Sequence, residues 1–180
     1  MRSRTELRLM ALVAGGTMLA SCVGDAEVAP SPAAAATPAP AVAAVSDTPV
    51  RVGAPYQMGG QTYTPVDQYD YDEVGYASWY GDELAGRPTA NGEAFAPDAI
   101  SAAHRTLPMP SYVEVTRLDT GRTILVRIND RGPASNRRLI DLSAGAARQL
   151  GIDATGTVAV RVRRTNPVES ERLALRSGQP

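Results

Sequence analysis

Three segments in the second half of the chain alternate apolar and polar residues with period two. Val113 and Val115 face away from Glu114 and Thr116. Ile124, Val126 and Ile128 interleave with Leu125 and Arg127, and Val158, Val160 and Val162 with Ala159, Arg161 and Arg163. Such alternation predicts half-buried strands. Tyr76-Ala77-Ser78-Trp79-Tyr80 reads as a further strand, and Leu118-Asp119-Thr120-Gly121 as a short hairpin loop between Arg117 and Arg122. Ser143 is a fitting N-cap for a helix over Ala144–Leu150, with Gly151 suited to its C′ position. Asp98–His104 is expected as a second short helical turn. Short strands dominate, so the open edges must be managed, and closure into a barrel does that.

The pattern divides the chain unevenly. Arg2, Arg4 and Arg8 precede an apolar stretch from Leu9 to Ala20, too short to span a bilayer comfortably. It ends in Leu19-Ala20-Ser21-Cys22, which resembles a bacterial lipobox. The expectation is a signal peptide over 1–21 and a lipid anchor on the Cys22 thiol. No Asp follows Cys22, and by resemblance to enterobacterial sorting this points to the periplasmic face of the outer membrane. Residues 22–50, mostly Ala, Pro, Ser and Thr after the cysteine, are expected to form a disordered tether. Residues 51–74, with Tyr56, Tyr63, Tyr69 and Tyr71 and a turn at Gly59-Gly60, read as an ordered lead-in strap. The barrel is expected over 75–164, and 165–180 as a short tail that frays or makes a loose last turn.

Composition narrows the chemistry. The formal net charge is −1 and no basic face stands out, which argues against a nucleic-acid partner. All 18 basic residues are Arg; with so much Ala, Gly and Pro, this reads as codon bias. A single cysteine excludes an internal disulfide and a cysteine-rich zinc site, and a single histidine excludes a multi-histidine metal centre.

Five polar or Gly-rich clusters interrupt the alternation: Trp79-Tyr80-Gly81, Gly86 to Glu93, Ala102 to Pro108, Asn129-Asp130-Arg131-Gly132-Pro133, and Arg138 to Ser143. In this order and spacing they closely resemble the rare lipoprotein A family, over about half of the chain. The resemblance implies a mainly β fold, a six-stranded double-psi β-barrel with short helices. It also implies lytic transglycosylase action on peptidoglycan strands stripped of stem peptides, with no cofactor and no metal. There the muramic 6-hydroxyl attacks its own C1, the bond to N-acetylglucosamine breaks, and a 1,6-anhydro end forms without water.

Glycoside cleavage needs a proton donor to the leaving oxygen and negative charge near the oxocarbenium-like centre. Asp130, after a strand and before a Gly-Pro turn, is the candidate acid/base; on residues alone it also suits a plain turn former. By the family motif, Glu93 is the second carboxylate, a stabiliser or alternative acid, and His104 either orients Asp130, binds sugar hydroxyls or is structural. Tyr80, Thr89, Asn91 and Arg131 are the expected substrate contacts. Asp141 reads as a helix-capping or orienting residue. Active members usually carry an Asp three residues after the motif glutamate; here Ala96 stands there, and Asp98 would substitute only if the loop bent differently. Sixteen residues follow Arg164, so the glycan-binding sporulation-related repeat of many members is not expected. Expected partners are glycan strands and, through Cys22, a membrane; division or cell-wall proteins are left unnamed. The alternative is a non-catalytic, wall-loosening module similar to expansins.

Overall fold

A computed structural model describes residues 45–152 and 156–178. The expected signal peptide, the Cys22 anchor and the tether up to residue 44 lie outside the described residues. From the N-terminal side, β1 (Tyr56–Met58) and β2 (Gln61–Tyr63) form a hairpin turning on Gly59 and Gly60, whose φ values are 59° and 78°. A Cβ on Gly59 would also meet the Ala134 carbonyl at 2.5 Å, so that position is closed to any side chain. β3 (Asp72–Trp79) follows, then a 3₁₀ turn (Asp82–Leu84), β4 (Ser101–His104), β5 (Ser111–Arg117) and β6 (Thr123–Asp130). β7 (Ile140–Leu142), α1 (Ala144–Leu150), β8 (Val158–Thr165) and α2 (Glu169–Arg176) complete the order.

Six strands close a barrel in the order β3-β7-β4-β6-β5-β8. β3 with β7 and β4 with β6 run parallel, and the other pairs are antiparallel. The alternation seen in the sequence sorts residues between inside and outside. Val113, Val115, Val126, Ile128, Val160 and Val162 fill the interior with no exposed surface. Each such side chain stabilises by about 1.5–3 kcal/mol. Glu114 and Arg163, at the opposite parity, pair with each other on the outside. α1 begins where expected: Ser143 Oγ accepts from the Ala146 N–H at 3.1 Å, and Gly151 closes the helix at φ 77°.

Three expectations are corrected. Asp98–His104 is not a helical turn: Ser101–His104 is β4, an interior strand whose small residues (Ser101, Ala102, Ala103) fit between β6 and β7. The first barrel strand starts at Asp72, because Asp72 to Gly75 pair with Val160 to Arg163. The tail forms α2, with Leu175 packed against the core. Residues 45–48 meet α2 at Arg176: the Val45 N–H donates to its carbonyl at 3.4 Å, and the Asp47 carboxylate, which accepts from Tyr112 at 2.7 and 2.9 Å and from Arg127 Nε at 3.2 Å, pairs with its guanidinium at 3.5 Å.

Candidate active site

The site begins with a break in register. Along β4 and β6, Ala102 faces Ile128, but the next pair is Ala103 with Asp130, so Asn129 is the extra residue of a bulge. A bulge re-aims the side chain that follows it. Without it Asp130 would share the inward parity of Val126 and Ile128; with it, Asp130 stands beside Ala103 on the outer face. On its other side Ala103 faces Asp141 of β7, and Asp141 faces Ser78 of β3. Ser78, Asp141, Ala103 and Asp130 thus form one row across four strands. The two aspartates lie about 10 Å apart at the backbone, two strand spacings, with only a methyl group between them.

Local donors hold both carboxylates. Asp130 Oδ1 accepts from the backbone N–H of Ala90 and of Arg131, both at 2.8 Å. Oδ2 has no partner among the described residues. Asp141 is held by Arg138, whose Nε and Nη2 donate at 2.7 and 3.1 Å. Tyr80, continuing from β3, has its ring 4.8 Å from that of Phe95 and its hydroxyl buried without a partner. Burial pushes its ionisation up, and the nearby Asp130 and Asp141 carboxylates push it further. A neutral hydroxyl donor therefore stands within the field of both carboxylates.

Glu93 is on the same outer face but committed elsewhere. Arg127 Nη1 and Nη2 donate to its two oxygens at 2.7 Å each, and Asn129 Nδ2 donates at 3.1 Å. Burial raises its ionisation, but the bonds from Arg127 and Asn129 outweigh this and hold it below the usual carboxylate range. This environment suits a fixed negative charge and opposes service as a proton donor. Thr89 and Asn91 staple the loop between them: Thr89 Oγ1 donates to Asn91 Oδ1 at 2.7 Å, and Asn91 Oδ1 accepts from the Glu93 N–H at 3.3 Å. Thr89 is buried, so its hydroxyl serves the loop and does not meet solvent.

His104 lies on the other side of the wall. It has the inward parity of Ala102 and is 2% exposed. Nδ1 accepts from the N–H groups of Thr106 and Leu107 at 3.3 and 3.2 Å, which places the proton on Nε2, 2.9 Å from the Tyr71 hydroxyl. Burial, with Arg105 and Arg131 nearby, pushes its pKa down to about 3. Neither ring nitrogen bonds Asp130 among the described residues, so the expected direct contact is absent; the imidazole is neutral and fixed behind the row. Arg131 is also committed within the protein, donating to the carbonyls of Leu107 and Val52 at 2.6 Å each and of His104 at 3.3 Å. Its guanidinium fastens the strap to the 104–107 loop, where a substrate contact was expected. Asp98 does not replace the residue missing at Ala96: its side chain is 88% exposed and paired with Arg148.

Sequence reasoning missed Asp141 as a member of the site, and Arg127, Phe95 and Arg105 as supports. Arg105 donates to the carbonyls of Pro133, Ser135 and Arg138, tying down the loop that follows Asp130. Among the described residues no group of three or more His, Cys, Asp and Glu is placed to hold a metal ion.

A family model described as lytic transglycolase matches residues 72–162. Endolytic peptidoglycan transglycosylase RlpA of Pseudomonas aeruginosa is 51% identical over 116 residues, covering 64% of this chain and 34% of that protein. The protein of the same name from Neisseria meningitidis is 43% identical over 120 residues, covering 66% of this chain and 50% of that one. The chain thus spans a third to a half of the length of these relatives. A solved structure of apo Clavibacter michiganensis expansin aligns at 20% identity and TM-score 0.43, over 54% of this chain and 52% of that one.

Proposed function

Because this chain belongs to the lytic transglycolase family, with the family's double-psi β-barrel as its folded part, we propose that it is a peptidoglycan lytic transglycosylase. It cleaves the bond between N-acetylmuramic acid and N-acetylglucosamine in peptide-stripped strands. The observation that carries the reading is the row that sets Asp130 and Asp141 on one outer face with Ala103 between them.

The bulge gives Asp130 an oxygen free to carry a proton, while its other oxygen is held by two backbone donors. In the first half of the reaction that proton passes to the glycosidic oxygen as its bond to C1 breaks. In the second half the same carboxylate takes the proton of the muramic 6-hydroxyl as that oxygen bonds to C1. No water enters, and the carboxyl group ends as it began. Asp141, oriented by the Arg138 fork, supplies negative charge for the developing cation. Tyr80, its hydroxyl buried and its ring packed against Phe95, acts as a positioning residue beside the two carboxylates. Glu93 and His104 act as positioning residues: Glu93 orders the 89–93 loop whose Ala90 N–H holds Asp130, and His104 braces the 104–107 loop from inside.

The Cys22 thiol is proposed as the lipid anchor, holding the chain at the periplasmic face of the outer membrane with the Ala/Pro-rich segment as a tether toward the wall. Incubation of the protein with amidase-stripped glycan, followed by mass spectrometry, tests the activity. Products ending in 1,6-anhydromuramic acid are expected from the native chain and none from Asp130→Asn. Glycan pull-down by both proteins with no product from either would favour the wall-binding, expansin-like alternative.

A further inference from the structure

The outer face of β3 continues past Ser78. Tyr76 lies two positions before it, about 7 Å along the strand and on the same face. It is 54% exposed, although it is a large aromatic residue. Beside it is a cavity of about 480 Å³ lined by Tyr76, Ser135, Arg137, Arg138 and Thr157. The Leu139 N–H donates to the Tyr76 carbonyl at 2.7 Å and seats the 135–139 loop against the strand. The two arginines differ in their commitments. Arg138 is turned to Asp141 and its charge is matched there. Arg137 is exposed, and among the described residues only its backbone N–H is bonded, to Ser135 Oγ. An aromatic face and an unmatched guanidinium therefore share one cavity, one residue away from the arginine that holds the reaction site.

We propose that this cavity is a subsite for a carboxylate-bearing sugar. Tyr76 lies under the apolar face of a pyranose ring, and Arg137 pairs with the lactyl carboxylate of the next muramic residue along the strand, one disaccharide from the one at Asp130. The inference rests on the proposed action on glycan and adds how the stripped strand is told from the decorated one. Where a stem peptide is attached, the lactyl carboxyl is an amide with no charge. Once the peptide is removed it is a free carboxylate, which a guanidinium fork binds through paired, charge-assisted hydrogen bonds. An exposed pair of this kind is screened by salt, so the preference should weaken as ionic strength rises.

The test uses two probes: a muramic-containing tetrasaccharide with free lactyl carboxylates, and the same compound as its methyl ester. Binding to the native chain is measured by calorimetry at low and high salt. The free acid is expected to bind about tenfold more tightly at low salt, a difference of about 1.4 kcal/mol, shrinking at high salt. Arg137→Gln should bind both probes alike, and Tyr76→Ala should weaken both by similar factors. Equal binding of the two probes by the native chain, or discrimination retained in Arg137→Gln, overturns the subsite. If stripped glycan is still cleaved in that case, the subsite alone falls. If neither probe binds and no glycan is cleaved, the proposed function falls with it.

Discussion

Three titratable side chains grouped by one motif pattern meet three different environments. Asp130 sits on the outer face with one oxygen uncommitted, Glu93 is locked to Arg127, and His104 is sealed inside the barrel. Each makes a separate prediction. Asp130→Asn keeps the acceptor for Ala90 and Arg131 and loses the proton chemistry. It should lower turnover on stripped glycan by at least about 10² while leaving the melting temperature nearly unchanged. His104 is neutral when folded, with its pKa near 3, whereas the unfolded chain titrates at 6.5. The unfolded state therefore binds more protons between those values, and stability falls as pH drops through that window. Between pH 7.5 and pH 5 the loss attributable to His104 is about 2 kcal/mol. Urea midpoints measured at those two pH values should converge in His104→Gln. Glu93 adds a loss of the same sign at more acidic pH, because its depressed ionisation contributes stability present above 4.5 and lost as pH falls through the folded value.

At the scale of elements, periodicity revealed what it can reveal. Val113 with Val115, Ile124 with Val126 and Ile128, and Val160 with Val162 are interior residues because alternation on a closed sheet leaves them no other place. The hairpin loop at 118–121 and the capped helix α1 were equally legible, since turn and cap chemistry is local. The bulge at Asn129 was not. It depends on which residue of β4 faces Asp130, and no count along β6 can show a partner's register. Asp141 was missed for the same reason: its neighbour across Ala103 belongs to a distant part of the sequence. Asp98–His104 was misread because Ser-Ala-Ala carries no strand signal without its neighbours β6 and β7. Gly145, in the first turn of α1, makes a prediction of unusual sign. A Cβ there would lie 2.2 Å from the Asp98 carbonyl. Gly145→Ala, which would stabilise an open helix by about 0.5–1 kcal/mol, should instead destabilise the protein by about 1–3 kcal/mol. Thermal unfolding of the variant measures this directly.

Over the described molecule as a whole, the barrel wall is braced by segments that carry little pattern of their own. Arg127 reads in sequence as a polar, outward position of β6, yet its side chain is 3% exposed. Residues 46 and 47, the 89–93 loop and α2 gather over it, and it binds the Ser46 carbonyl, Asp47 and Glu93 together. Removing the guanidinium leaves Glu93, at 15% exposure, without its main partner, and takes one of three partners from Asp47 at 14%. Arg127→Met should cost about 3–5 kcal/mol. It should also open residues 45–52 to limited proteolysis before the barrel unfolds, whereas Asp47→Asn should cost much less. By this coupling, loss of the outer brace should slow glycan cleavage as well, through the loop that holds Asp130.

Digestion of stripped glycan in water enriched in heavy oxygen tests most directly whether Asp130 directs the 6-hydroxyl oxygen, and not water, onto C1. Ring closure within the sugar should leave anhydromuramic ends that carry no label, and Asp130→Asn should release none. Labelled reducing ends, or unlabelled ends produced equally well by Asp130→Asn, would contradict it.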